Sequence, residues 1–389
     1  MRITTLDSLR GLAALTVLFS HCYEVYPEDL RFNVRLLDLS AWAQPWAWFR
    51  YTPLRLLTEG QPAVMFFFVL SGFVLALPFI RGTQPAYPRY LAKRFCRLYL
   101  PFAAAILISA ALYFLIAPEP IAAFGHEFNA ESWSRSITGQ DVARHLMMTG
   151  MAKDEILDVP VWSLVHELRI SVIFPLLIAL SAIASWPAIA LSALLYVACA
   201  YTLLHVSEQS AIGTILATGQ YIVFFVAGIA LARHEERWRA MLRAVPSPVR
   251  PLLWLACLTA AMCPAALLPW SRFIWGTAAV GIIILAMTSP SAQRLLSLPP
   301  LRWLGRVSYS LYLVHMLVLL AAVHLLYGRL PLPAILLAAV VLSLVSAEIM
   351  FRCVERPAMQ IGRRFARGEP PTTSTGGRSS SLAPGAPSA

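Results

Sequence analysis

The stretch LDSLRGLAALTVLFSH, residues 6–21, is an apolar run that carries Arg10 and His21. Eleven helical steps of about 100° return His21 to within ~20° of Arg10, while the rise of ~16 Å separates them in depth. A charged side chain at mid-membrane costs roughly 2.5–3.5 kcal/mol on insertion scales, so it needs a partner, water or a task. A neutral imidazole can take a proton from a hydroxyl, and a guanidinium can hold an anion. Pairing of Arg10 with Asp7 as a membrane-surface anchor, with His21 at the opposite interface, fits the spacing equally well.

Three further segments place polar groups in apolar surroundings. KRFCRLYLPF, residues 93–102, sets Lys93, Arg94 and Arg97 in one basic turn. Arg94 and Arg97, three residues apart, share a helix face suited to a phosphate, although a positive anchor against anionic headgroups explains them as readily. VWSLVHELRISVIFPLL, residues 161–177, packs Trp162, Ser163, His166, Glu167 and Arg169 into the outer part of a helix. Glu167 is expected there to meet His21 or a polar acceptor, with pairing to an arginine as the alternative. LGRVSYSLYLVH ends on His315, for which a bond to a core carbonyl or hydroxyl is favoured over direct catalysis. Ser71-Gly72, in an otherwise bulky run, reads as close helix packing at least as well as ligand contact.

These groups must be positioned by membrane helices. Of 389 residues, 58% are hydrophobic and 13% charged, which is a membrane composition. Ten segments are long and apolar enough to span, at about 7–27, 61–80, 95–117, 160–184, 187–206, 216–233, 251–269, 272–289, 307–327 and 331–352. The expected fold is therefore all-α and polytopic, with about ten crossings and both termini on one side. The basic connections 81–97, 232–250 and 293–306 make that side cytoplasmic, and the 118–159 loop, rich in Asp and Glu, falls outside. Region 28–60, with Trp42, Trp46 and Trp48, suits the membrane–water interface.

The formal charge of +11 lies mostly in those short connections, so orientation accounts for it and nucleic-acid binding is not expected. Cys22, Cys96, Cys199, Cys257, Cys263 and Cys353 lie in or beside apolar runs without metal-ligand spacing, so neither a disulfide framework nor a metal site is expected. Arg10 interrupts the first run, which is expected to be a retained helix rather than a signal peptide. No matched pair of broken helices marks a transporter. Two units are expected: a transmembrane domain over 1–357, and over 358–389 a Gly/Pro/Ser-rich disordered cytoplasmic tail.

Taken in order, LDSLRGLAALTVLFSH, FFFVLSGFVLALP, KRFCRLYLPF, VWSLVHELRISVIFPLL and LGRVSYSLYLVH resemble the acyltransferase-3 family of integral membrane acyltransferases. The resemblance implies a membrane-bound O-acyltransferase that moves an acyl group, with acetyl expected, from acyl-CoA as co-substrate to a hydroxyl of a cell-envelope carbohydrate. It implies that His21 is the general base, that Arg10 supports the site, and that Arg94 and Arg97, with Lys93 beside them, contact the phosphates of acyl-CoA on the cytoplasmic side. Glu167 falls on the family's Trp-Ser-Leu then Glu pattern and would orient His21. Leu168-Arg169-Ile170-Ser171 departs from the aromatic pair that many members carry after that glutamate. The implied location is the bacterial inner membrane, and no extracytoplasmic hydrolase-like domain is expected. An acyltransferase for a lipid-linked or small-molecule acceptor, or a transporter using the same polar residues, remains the alternative.

Overall fold

Backbone amides in lipid must be bonded within their own segment, so apolar runs of this length fold as helices. The computed structural model describes residues 4–27, 31, 43, 45–130, 132–150, 156–208, 210–263 and 270–367, all-helical and with no named strand among them. In chain order the helices are α1 (Thr4–Glu24), α2 (Pro45–Tyr51), α3 (Gly60–Ile80), α4 (Tyr87–Ile116), α5 (His126–Ala130), α6 (Gly139–Leu146), α7 (Val161–Ile183) and α8 (Ser185–Thr202). There follow α9 (Ala211–Arg233), α10 (Glu235–Ala244), α11 (Arg250–Ala261), α12 (Trp270–Thr288), α13 (Pro290–Leu296), α14 (Pro299–Leu326), α15 (Leu332–Met350) and α16 (Arg356–Arg367).

Eight described helices are long and apolar enough to cross a membrane, namely α3, α4, α7, α8, α9, α12, α14 and α15 with its continuation, and the bent pair α10–α11 makes a ninth. The chain is an integral membrane protein. The opening helix α1 falls outside that set because Asp7, Arg10, His21 and Glu24 lower its hydropathy. Its packing nevertheless runs the depth of the bundle: Ser8 Oγ donates to Leu296 O (2.7 Å) near one end, and Glu24 lies at the other.

Contacts fix helix directions. Gly11 abuts Gly305 and His21 stacks on His315, ten residues further along both helices, so α1 and α14 run the same way. Gln220 bonds Arg272, and Phe224 lies against Gly276, so α9 and α12 are also parallel. The chain between α9 and α12 must therefore return across the bundle. Helix α11, whose twelve residues cover the start of the expected 251–269 span, belongs to that return. Residues 264–269 lie outside the described ones.

Two glycine crossings bring backbones into contact. A Cβ on Gly11 would lie 2.5 Å from the Gly305 nitrogen, and one on Gly305 would lie 2.3 Å from the Asp7 carbonyl. On α3 and α9, a Cβ on Gly72 would meet Phe225 O at 2.2 Å and one on Gly228 would meet Val69 O at 2.1 Å. Both crossings are the small-residue packing that membrane helices use in place of a hydrophobic drive. The centre of the bundle is α9, 78% buried over its apolar window, and the rim includes α8, 17% buried.

Two expectations are corrected, the starts of two helices and the start of the tail. The helix expected at 95–117 begins at Tyr87 and that expected at 307–327 begins at Pro299, so both are longer by about two turns. The tail expected from 358 instead continues as helix to Arg367, and 368–389 lie outside the described residues. In the acidic 118–159 loop, Asp158 is fully buried, and neither of its carboxyl oxygens is hydrogen-bonded among the described residues. Glu131, Asp154 and Glu155 of that loop, and Trp42 of the interfacial stretch, lie outside the described residues.

Two stability predictions follow from these contacts. Gly305→Leu must push α1 and α14 apart at their backbones and is expected to cost at least the ~1–3 kcal/mol of overpacking, read as a lower melting temperature in detergent. Gly139→Ala, which meets open space, should leave that temperature unchanged. Burial raises the Asp158 carboxyl well above the usual carboxylate range. Above the ordinary pKa of ~3.9 the unfolded chain releases a proton that the folded chain keeps, so stability falls as pH rises, by up to ~1.4 kcal/mol per unit until the folded carboxyl itself ionises. Asp158→Asn should match the parent near pH 4 and melt progressively higher than it as pH rises from there. A gap that does not widen with pH refutes this.

Candidate functional site

A cavity of about 440 Å³ opens between α1, α3, α4, α7, α14 and α16. Arg10, Lys93, Arg94, Arg97 and Glu167, five of the six residues to which the family resemblance gives a role, line it. Six cations face it, the others being Arg306 and Arg363, against three carboxylates, Asp7, Glu167 and Glu355. This imbalance in a confined space favours an anionic ligand. Beyond the cations the lining turns apolar with Val64, Phe67, Phe68 and Leu164 and ends at Ser163 and Tyr312.

The early start of α4 decides how the basic turn works. Arg94 sits two turns inside a 30-residue helix rather than at its boundary, 8% exposed. There its Nη2 pairs with Glu167 Oε1 at 2.8 Å, and Nε and Nη2 both donate to Ser171 Oγ at 3.2 and 3.0 Å. Ser71 Oγ donates to the same Glu167 oxygen at 3.2 Å. Ser71 and Gly72 therefore divide the work: the serine faces the cavity and the glycine packs α3 on α9. Arg97, half-buried one turn further on, makes no hydrogen bond or ion pair among the described residues and stays free to meet a ligand. Arg10 is fixed on α14, with Nε donating to Ser308 Oγ (2.8 Å), Nη2 to Gly305 O (3.2 Å), and Asp7 3.8 Å away.

His21 is not among the residues lining the cavity. The carboxylate hydrogen-bonded to it is Glu24, at 2.7 Å from Nδ1, and not Glu167 as the sequence suggested. A carboxylate only accepts, so in the neutral ring His21 carries its proton on Nδ1 and its lone pair on Nε2. Ser20 Oγ donates to the other Glu24 oxygen at 3.1 Å and fixes the carboxylate. The His21 ring stacks on that of His315, centroids 5.3 Å apart, and His315 is 6.0 Å from Tyr312, where the cavity ends. His315 does bond a core carbonyl, Nδ1 to Leu311 O at 3.0 Å, as expected. That bond leaves its fully buried Nε2 as an acceptor with no hydrogen-bond partner among the described residues. Tyr312 OH lies 2.7 Å from Ser163 Oγ, and both bond Pro160 O.

His166, one residue from Glu167, turns to α9 instead. Its Nδ1 bonds Thr218 Oγ1 at 2.9 Å, beside Arg169, which donates to Thr214 O and to the hydroxyls of Thr214 and Thr218 at 2.7–3.0 Å. The departure at Leu168-Arg169-Ile170-Ser171 thus supplies an arginine tying α7 to α9 and a serine that holds Arg94.

Sequence reading missed Glu24, although its three-residue spacing from His21 on one helix was a visible signal. It also missed Ser308 and Tyr312, whose spacing with His315 is that of one helix face.

A family model described as an acyltransferase domain matches residues 3–351, nearly the whole chain, and the chain belongs to that acyltransferase-3 family. No curated protein and no solved structure matches it.

If Glu24 holds the His21 tautomer, Glu24→Gln should lower the turnover of acyl transfer by about 10²–10⁴-fold with donor KM unchanged. Glu24→Asp should restore part of it. Equal losses in both variants, or a change confined to KM, would rule out the positioning role.

Proposed function

We propose that this acyltransferase moves an acyl group, acetyl by family resemblance, from acyl-CoA to a hydroxyl of a cell-envelope carbohydrate, with His21 as general base. The observation that carries the reading is the His21–Glu24 pair at 2.7 Å, stacked on His315 just past the inner end of a basic cavity. The cations suit the diphosphate of acyl-CoA, and the apolar inner wall suits its pantetheine arm and acyl group. Arg97 is the direct phosphate contact in this reading. Arg94 serves by fixing Glu167, and Arg10 by joining α1 to α14 beside the cavity.

The chemistry follows from the tautomer. His21 Nε2 takes the proton of the acceptor hydroxyl as its oxygen attacks the thioester carbonyl, and Glu24 stabilises the imidazolium formed. The tetrahedral intermediate collapses with cleavage of the C–S bond, the departing thiolate takes the proton, and the ester and free CoA leave. General-base help of this kind is worth ~10²–10⁴-fold, and alignment of thioester and hydroxyl supplies much of the rest.

Basic connections at the cavity end support a cytoplasmic mouth, where acyl-CoA is available, in a bacterial inner membrane. The His21 end of α1 then lies towards the opposite face, where envelope sugars, free or lipid-linked, are modified.

The test is purified protein with acetyl-CoA labelled in the acetyl group, together with mass spectrometry of envelope glycans from a strain lacking the gene. Complementation by the parent should restore acetyl ester, and His21→Ala should insert normally yet transfer nothing. Acylation surviving in that variant would remove His21 from the base role. An intact thioester after incubation of the parent with acceptor glycan would favour a transporter.

A further inference from the structure

The family match stops at residue 351, but the helix does not. α15 runs without a break through a π-helical turn, Phe351–Glu355, into α16. The wider turn resets the helix face, a device common at functional sites. From it, Phe351, Glu355, Met359 and Arg363 recur every four residues, form one stripe, and all line the cavity. Glu355 is 1% exposed and accepts from Ser310 Oγ at 2.6 Å, which anchors the stripe on α14.

α16 also presses on α4. A Cβ on Gly362 would come 3.1 Å from Cys96 Cβ and 3.3 Å from Lys93 Cα, a gap that no larger residue fills without movement. Arg363 follows Gly362 directly, so it stands across this seam from Lys93. Both are exposed at the mouth, and neither has a carboxylate partner among the described residues. Arg363 spends only its Nε, on Met359 O at 3.2 Å. Two unpaired cations face each other at the mouth, while Arg97, free and half-buried, lies one turn deeper along α4, or ~6 Å. The positive charge is thus split between two levels, a pattern that matches a ligand with phosphate in two separate places.

We infer that α16 is a wall of the donor site and that Arg363 and Lys93 together hold the phosphomonoester on the ribose of the coenzyme, apart from the diphosphate at Arg97. The inference rests on the acyl-CoA reading above. It assigns a binding role to a segment outside the part of the chain that the family model covers.

The experiment compares acetyl-CoA with 3′-dephospho-acetyl-CoA as donors for the full-length protein. The parent should show a KM about tenfold or more higher for the dephospho donor, the usual scale of a lost charge-assisted contact. Arg363→Ala, which leaves Lys93 in place, should raise the KM for acetyl-CoA several-fold towards that level, leave the KM for the dephospho donor and both kcat values unchanged, and so report its own correct folding. An Arg363→Ala effect equal on both donors, or none on either, overturns the inference while acyl-CoA stays the donor. If the parent uses neither donor, the acyl-CoA reading itself fails and takes this one with it. The same phosphate chemistry exists in lipid headgroups, so the assays are repeated in nanodiscs of phosphatidylcholine with and without phosphatidylglycerol. An Arg363→Ala change in anionic-lipid dependence with donor discrimination intact would assign the pair to lipid and overturn the proposal.

Discussion

Backbone contact between α1 and α14 at Gly11 and Gly305 sets the geometry of everything around the site. Two parallel helices touching at their backbones cannot slide or rotate much, so every later pair along them is in fixed register. Arg10 therefore finds Ser308 and the Gly305 carbonyl near the crossing, and ten residues on His21 finds His315. A side chain at either glycine would widen the gap by ångströms and separate the two rings. Lipid offers no hydrophobic force to draw such helices together, so the close approach and the polar bonds it allows must supply the association.

Within that frame, the placement of carboxylates divides the labour. Glu167 is held by Arg94 and Ser71 and neutralises one arginine of a strongly basic cavity. Glu24 is spent on His21, and Glu355 on Ser310. An unpaired carboxylate or guanidinium is costly at this depth, so pairing leaves few free groups, and those few are informative. Arg97 at the cavity wall and His315 Nε2 behind its inner end are two groups without a hydrogen bond among the described residues.

Much of this was readable in the residues, and the misses have a common cause. Periodicity alone put Arg10 and His21 on one face, and the ordered motifs identified the family that the later match confirms. The partner of Glu167 was misjudged because depth was measured from hydropathy boundaries. Arg, Lys and Tyr side chains before residue 95 look like loop, yet α4 begins at Tyr87, which moves Arg94 two turns inward to the level of Glu167. The amphipathic α16 was hidden by the same bias, because its arginines resemble the polar tail that follows. Periodicity reports the face of one helix, and only the packing of several sets their relative heights. Glu24 is the exception: its contact is local, and the three-residue spacing from His21 was sufficient to find it.

The separation of charge from chemistry carries a physical consequence. A histidine beside six cations would be a poor base, since like charge disfavours its protonated form at the step where it must hold a proton. Here the cations line one end of the cavity, and an apolar stretch of Val64, Phe67 and Phe68 lies between them and Tyr312. His21 has its own carboxylate and a neighbouring imidazole that is committed to a backbone carbonyl through Nδ1. Low dielectric makes the His21–Glu24 pair count for more than it would in water. The same low dielectric would make intrusion of the basic cluster more damaging. In the proposed reading, holding an anion at one end of a helix and a proton acceptor about three turns away resolves a conflict that a single mixed cluster could not.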